Sequence, residues 1–157
     1  MHYFSENGTD FTCGLIPGAK WMGGGDTLLD GTFYNPNMPT EEIFTSPMKG
    51  EAEGTVVATM PLSYQGNLIE NFSITFKNGR AVSCRAEKGQ ALLEQMLAMD
   101  EGAAQLGELA LIPHDSPISN LGILFYNTLF DENAACHIAL GAGFPNTVDG
   151  YENMTLE

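Results

Sequence analysis

Basic residues are scarce in this 157-residue chain, which has 6 Lys and Arg side chains against 20 Asp and Glu and a formal net charge of −14 at pH 7. Nucleic acids and anionic membranes both require a basic surface, so this composition argues against either as a partner. The shortage of cations also leaves most carboxylates without an internal counter-charge. Carboxylates that cluster in the fold would therefore favour a bound metal ion.

Cysteines and long apolar runs are few as well. The three cysteines, Cys13, Cys84 and Cys136, lack C-x-x-C spacing, so we expect reduced, buried thiols rather than zinc-finger ligands. No apolar stretch approaches the ~20 residues that span a bilayer, and no N-terminal stretch resembles a signal peptide, which predicts a cytoplasmic protein. A hydrophobic content of 43% is enough for one core, so we expect a single domain over residues 1–157.

Strand signals outnumber helix signals. Residues 55–60 and 72–76 are rich in β-branched and aromatic side chains, and Asn78-Gly79 is a strong signal for a type I′ hairpin turn. From about 88 to 99, Leu and Met recur at helical spacing and indicate an amphipathic helix packed on the core. The predicted fold class is α+β, a β-rich mixed sheet with a hairpin and at least one packed amphipathic helix.

The pair Glu41-Glu42 lies in an apolar setting between two prolines, after a Pro-, Gly- and Asn-rich stretch, residues 31–39, that predicts a loop. Burying an ionised carboxylate without a cation or hydrogen bonds is costly. The pair is therefore either solvated at a loop surface or holds something positive, and these residues alone leave both interpretations open.

Two further segments carry potential ligands. Glu108 is a lone acid within the apolar run 107–113, which reads as a short strand ended by a proline. Glu132 precedes His137, which is surrounded by small and apolar residues. Carboxylates with an imidazole suit Zn, Mn or Co ions, whereas the alternative for His137 is a hydrogen-bonded core histidine.

The spacing of Glu132 and His137 constrains how both could reach one ion. Five positions apart, they would be separated by about 140° around a helix, and on a strand they would point to opposite faces. A continuous helix would instead place Asn133 beside His137, so the zinc-protease pattern H-E-x-x-H is excluded. A bend between the two residues is required if both bind metal.

These segments resemble the signature stretches of the thermophilic-type metalloaminopeptidase family, two-metal exopeptidases. The matching strings are Pro-Thr-Glu-Glu-Ile-Phe-Thr-Ser-Pro at 39–47, Gly-Glu-Leu-Ala-Leu at 107–111 and Asp-Glu-Asn-Ala-Ala-Cys-His at 131–137. Gly-Thr-Asp-Phe-Thr at 8–12 is similar to the family's entry into its metal-binding domain. The strings are long and occur in the family's order, so the resemblance extends over nearly the whole chain.

The resemblance implies an aminopeptidase, which removes N-terminal residues from peptides with two divalent ions of Zn, Co or Mn. By position, it implies metal ligands at Glu42, Glu108, Glu132 and His137, with Glu108 bridging the two ions. Glu41 is implied to be a general base or a group that orients a ligand. The choice between Glu41 and Glu42 depends on the family match and not on spacing.

Two departures from the family pattern qualify this expectation. The family's further His-x-Asp pair does not occur before Glu157, and Phe144 stands where the family often has a tyrosine that assists the chemistry. We also expect the family's N-terminal domain to be missing from this portion. We therefore expect an incomplete, inactive portion of the enzyme that exposes an apolar patch and forms a homo-oligomer. The alternative is a non-catalytic, acidic, β-rich binding or interaction module whose glutamates are merely solvated.

Overall fold

The structure is a computed structural model that describes residues 1–35 and 40–153. Its strands are β1 His2–Phe4, β2 Asp10–Leu15, β3 Met22–Gly23, β4 Asp26–Thr27, β5 Phe33–Tyr34, β6 Ile43–Thr45, β7 Pro47–Val57, β8 Leu62–Tyr64, β9 Asn67–Lys77, β10 Arg80–Lys88, β11 Leu106–Leu111 and β12 His137–Leu140. Its α-helices are α1 Gln90–Leu97, α2 Pro117–Leu121 and α3 Thr128–Asp131, and its 3₁₀-helices are Glu132–Ala134, Pro145–Thr147 and Tyr151–Asn153.

The strands form three antiparallel sheets. The larger sheet has the order β1-β2-β7-β9-β10, with β8 also paired to β9, and the smaller sheet has the order β12-β11-β6-β3. Strands β4 and β5 pair with each other. The predicted α+β class, rich in strand, is confirmed.

The predicted hairpin joins β9 to β10. Lys77 pairs with Arg80, and the two residues between them, Asn78 and Gly79, have φ values of 50° and 78°. Positive φ at both central positions is what a type I′ turn requires, and Asn-Gly accepts it at low cost. The hairpin prediction is therefore confirmed.

Helix α1 packs against β10 and β9, as the amphipathic pattern predicted, although it begins two residues later than expected and ends two residues earlier. Leu93 is buried, and Leu92 and Met96 pack against the same core. The centre of that core lies against the larger sheet, where the rings of Phe11 and Phe76 are 5.3 Å apart.

The smaller sheet has two unlike faces. Leu109 of β11 and its partner Ile138 on β12 pack into the core. Glu108 and Ala110 flank Leu109, so their side chains point to the opposite face, and Ala110 is paired with His137. Alternation along β11 thus separates core residues from predicted ligands.

Some sequence-based expectations need correction or lie outside the described residues. Only Cys13 is a buried thiol, whereas Cys136 is exposed, although all three cysteines are free. The predicted loop 31–39 contains β5, and its residues 36–39 are outside the described part of the chain. Within the described ranges, no helix has the length and apolar character needed to cross a membrane.

Candidate metal centre

Three adjacent strands of the smaller sheet carry predicted ligands to one place. Glu42 immediately precedes β6, Glu108 lies within β11, and His137 is the first residue of β12. Because β11 lies between β6 and β12, and neighbouring strands are about 4.8 Å apart, side chains on one face of these strands can meet.

Glu42, Glu108 and His137 do meet. One ligand atom from each lies within 4.8 Å of the other two, and Glu42 Oε2 is 3.1 Å from His137 Nε2. The side chains are 9% exposed for Glu42 and 17% for His137, and residue Glu108 is 8% exposed. A buried group of two carboxylates and one imidazole has the composition of a site for Zn, Co or Mn.

The burial and the separation of two of these atoms fit a shared metal ion. Glu42 Oε2 and His137 Nε2 are fully buried, and neither has a hydrogen-bond partner among the described residues. The 3.1 Å between them is the separation of an ion pair. Buried polar atoms are normally satisfied, so two unsatisfied atoms side by side are what ligands of one ion would leave behind.

His137 is also held in the tautomer that a metal requires. Its Nδ1 is 3.0 Å from the backbone carbonyl oxygen of Ala135. A carbonyl only accepts, so Nδ1 must carry the proton and donate it. In the neutral imidazole, Nε2 then presents its lone pair toward Glu42 and Glu108, as a metal-binding histidine does.

Burial and mutual repulsion raise the pKa values of the acids at this site. Burial raises the pKa of Glu108 to about 7, with the charges of Glu42 and Glu132 adding to the effect and that of His137 opposing it. Burial, together with the charge of Glu42, also raises the pKa of Glu132. Burial alone would lower the pKa of His137, but its contacts with Glu42 and the Ala135 carbonyl outweigh this, so that pKa is raised. A cation at this place would relieve the repulsion.

The other two predicted site residues lie beside the three. The carboxylate of Glu132 interacts electrostatically with Glu42 and His137 but falls outside the 4.8 Å group. Glu41 is exposed, and its backbone N–H donates to Asn133 Oδ1 at 2.8 Å. The structure therefore brings three of the five predicted residues together and leaves Glu41 and Glu132 at the edge.

The bend predicted between Glu132 and His137 is present. Glu132 begins a 3₁₀-helix that ends at Ala134, Ala135 is extended with φ −159° and ψ 165°, and β12 starts at His137. This change of direction carries the chain from the edge of the site into the sheet, so both residues can face the same region.

Sequence reasoning missed the residues that support the site. Asn133 is fully buried and contacts the backbone of Glu41, across a sequence separation of 92 residues. Buried Ser46 and Thr147 share a hydrogen bond of 3.1 Å, and both bond to the carbonyl of Phe144. The only sequence signal for Asn133 was its position next to Glu132. A sequence alone does not identify a hydrogen-bond partner 92 positions away.

Comparison with known proteins agrees with this geometry. The whole chain, residues 1–157, matches the family described as thermophilic metalloprotease (M29). The chain belongs to the M29 family. The resemblance of the signature stretches to metalloaminopeptidases is thus confirmed, and with it the assignment of this chain to a family of metal-dependent hydrolases.

Named relatives of this M29 chain are aminopeptidases. It is 50% identical over 157 residues to aminopeptidase AmpS of Bacillus subtilis and 47% identical over 148 residues to aminopeptidase T of Thermus thermophilus. It covers 38% and 36% of those proteins, respectively, so it spans little more than a third of their length.

A solved relative has the same fold. The structure of wild-type AmpT from Thermus thermophilus superposes with a TM-score of 0.87 at 47% identity. The match covers 93% of this chain and 37% of that one. The M29 fold is therefore shared over nearly all of these residues.

Proposed function

We propose that this chain forms part of the metal centre of an aminopeptidase, with Glu42, Glu108 and His137 as ligands of a divalent ion. The observation that carries the proposal is the convergence of their ligand atoms, with Glu42 Oε2 and His137 Nε2 buried and unsatisfied among the described residues. The names of the relatives support the activity.

We further propose two ions of Zn, Co or Mn, with Glu108 as the bridging ligand and Glu132 as a ligand of the second ion. Glu108 lies on the central strand of the three, between the elements that carry the other ligands. Glu132 is close enough for its pKa to respond to Glu42 and His137.

The substrate would be a peptide bound at its N-terminus. Bound metal ions would supply an activated water and polarise the scissile carbonyl. Glu108 and Glu42 provide negative charge to hold the cations, and the Ala135 carbonyl keeps the His137 ring in its ligand orientation. Exposed Glu41 lies beside Glu42, where its carboxylate could accept a proton from a reacting water.

A non-catalytic acidic binding module is the alternative. It predicts glutamates scattered over the surface and solvated. The burial of Glu108 and Glu42 beside His137 counts against it. The cytoplasmic location and the homo-oligomer predicted from the sequence stay predictions.

We propose that these 157 residues alone bind metal weakly and do not hydrolyse peptides. Three gathered ligands are few for two ions, and Phe144 lacks a hydroxyl that could donate a hydrogen bond. Peptide hydrolysis would require more metal ligands than these described residues bring together.

Calorimetric titration with Zn²⁺, Co²⁺ and Mn²⁺, beside an aminoacyl-anilide assay, tests the proposal. We expect metal binding by the unaltered chain, a strong loss of affinity in Glu108→Ala and background hydrolysis in both. Glu6→Ala is the matched control, because Glu6 is exposed in the turn between β1 and β2 of the other sheet. Equal binding by Glu108→Ala and Glu6→Ala would refute the metal site, and robust turnover would refute the inactivity.

A further inference from the structure

Asn133 is a buried residue that connects the turn after Glu132 to the segment that carries Glu41 and Glu42. It is 0% exposed and directly follows Glu132. Its Oδ1 accepts a 2.8 Å hydrogen bond from the backbone N–H of Glu41. The residue after Glu41 is the proposed ligand Glu42, so a buried amide from the Glu132 turn fixes the backbone next to that ligand.

Asn133 is itself held through both its side chain and its backbone. Its Nδ2 donates to the carbonyl of Leu129 in α3 at 3.0 Å. Its backbone carbonyl accepts from Ser116 Oγ at 3.2 Å. Ser116 is 1% exposed and caps the N-terminus of α2, where its Oγ accepts from the backbone N–H of Ser119. Asn133 therefore has little freedom to move away from Glu41.

The Glu41–Asn133 hydrogen bond connects the Glu41–Glu42 segment to the segment that leads into His137. The relative position of these two segments determines whether the ligands meet. Glu42 reaches His137 from one side, and His137 begins β12 only four positions after Asn133. The sheet ladder pairs β6 with β11 only over Ile43–Thr45, so Glu41 and Glu42 lie beyond the end of that ladder. The Glu41–Asn133 hydrogen bond supplies a long-range backbone contact where the ladder stops.

From this geometry we propose that Asn133 is a positioning residue, which places the Glu41–Glu42 segment against His137 by binding the Glu41 amide. The inference deepens the proposed function, on whose metal site it rests. This role requires no contact of Asn133 with substrate or ion. It acts through the backbone, so its loss should let the Glu42 carboxylate move away from Glu108 and His137.

Two variants separate this role from general stabilisation. Asn133→Leu is close in size but removes the acceptor for the Glu41 amide, whereas Asn133→Asp retains an oxygen at that place. Thr75→Val is the matched control, because it removes a partly buried side-chain hydrogen bond, that to Thr55 in the larger sheet, and leaves Asn133 and its partners unaltered. If Asn133→Leu fails to fold, Asn133→Ser, whose side chain is too short to span the distance, replaces it.

The first measurement is titration with Co²⁺ alone, followed by visible absorption, at a temperature at which every variant is folded. We expect Asn133→Leu to bind Co²⁺ at least about tenfold more weakly with an altered spectrum, the range typical of groups that orient a ligand. Asn133→Asp, which keeps the acceptor but loses the donor to Leu129, should recover part of the affinity, and Thr75→Val should bind as the unaltered chain does. Equal losses in Asn133→Leu and Thr75→Val, or no loss in Asn133→Leu, would overturn the inference.

The second measurement needs no metal and follows amide hydrogen exchange by NMR. The Glu41 amide should be protected in the unaltered chain and lose protection in Asn133→Leu, while amides within β12 keep theirs. If the unaltered chain binds no Co²⁺, the proposed function fails, and the placement of Glu41–Glu42 by Asn133 is then decided by this exchange alone. Unchanged protection of Glu41 in Asn133→Leu would reject it.

Discussion

The carboxyl group of Glu108 combines burial on a strand with a pKa raised from 4.5 to about 7. The folded metal-free protein therefore keeps a proton on Glu108 across a pH range in which the unfolded chain has released it. Where the folded state binds more protons, the free energy of unfolding falls as the pH rises. The raised pKa values of Glu132 and His137 act in the same direction.

In the presence of a chelator, Glu108→Gln should reduce the fall in the free energy of unfolding as the pH rises. We expect the variant to be more stable than the unaltered chain above pH 7, by on the order of 2 kcal/mol, and to lose that advantage below about pH 4.5. Urea unfolding at a series of pH values measures the difference. Glu6→Gln, which changes an exposed carboxylate, should leave the slope unaltered, and parallel profiles for Glu108→Gln and the unaltered chain would contradict the assignment.

At the scale of elements, the β9–β10 hairpin depends on one glycine for two separate reasons. Gly79 has φ 78°, and a Cβ there would lie 2.2 Å from the Cα of Gly50. Gly18 has nearly the same φ, 79°, but nothing lies within 4 Å of its Cβ position. An alanine at either position would have the same unfavourable left-handed backbone. Only at Gly79 would its Cβ also collide with another residue.

Gly79→Ala should therefore cost about 2–4 kcal/mol of unfolding free energy, since overpacking adds to the left-handed backbone. Gly18→Ala should cost only about 1 kcal/mol, from the backbone alone. Chemical denaturation of both variants gives the comparison, and equal costs would show that the hairpin moves away from Gly50 freely.

Local features of this fold were predictable, and long-range ones were not. The Asn78-Gly79 turn and the period of α1 follow from neighbouring residues, and so does the bend that the Glu132–His137 spacing demands. The meeting of Glu42 with Glu108 depends on the pairing of β6 with β11, strands far apart in sequence, and periodicity does not specify a pairing partner. Family resemblance, and no physical signal, indicated that these residues act together.

At the scale of the whole molecule, metal should reverse the pH trend of stability. The ligands must be deprotonated to bind an ion, so metal affinity rises with pH while metal-free stability falls. With Zn²⁺ at about 100 times its dissociation constant, the stabilisation should be about 2.7 kcal/mol, or a Tm increase of about 5–10 °C.

Thermal unfolding with Zn²⁺ and with chelator, between pH 6 and pH 8, checks this expectation. The Tm difference between the two conditions should grow toward pH 8 and should shrink strongly in Glu108→Gln. A difference that grows on acidification would mean that the ion binds to groups other than those of the proposed site.

The two faces of strand β11 have a consequence for how the chain would acquire a metal ion. A slip of one residue in its pairing would turn the carboxylate of Glu108 into the core and bring the apolar side chain of Leu109 to the ligand face. Misregistered chains would then be both poorly packed and unable to capture an ion. If the proposed site binds an ion during folding, that ion would stabilise only molecules whose strands pair in the correct register.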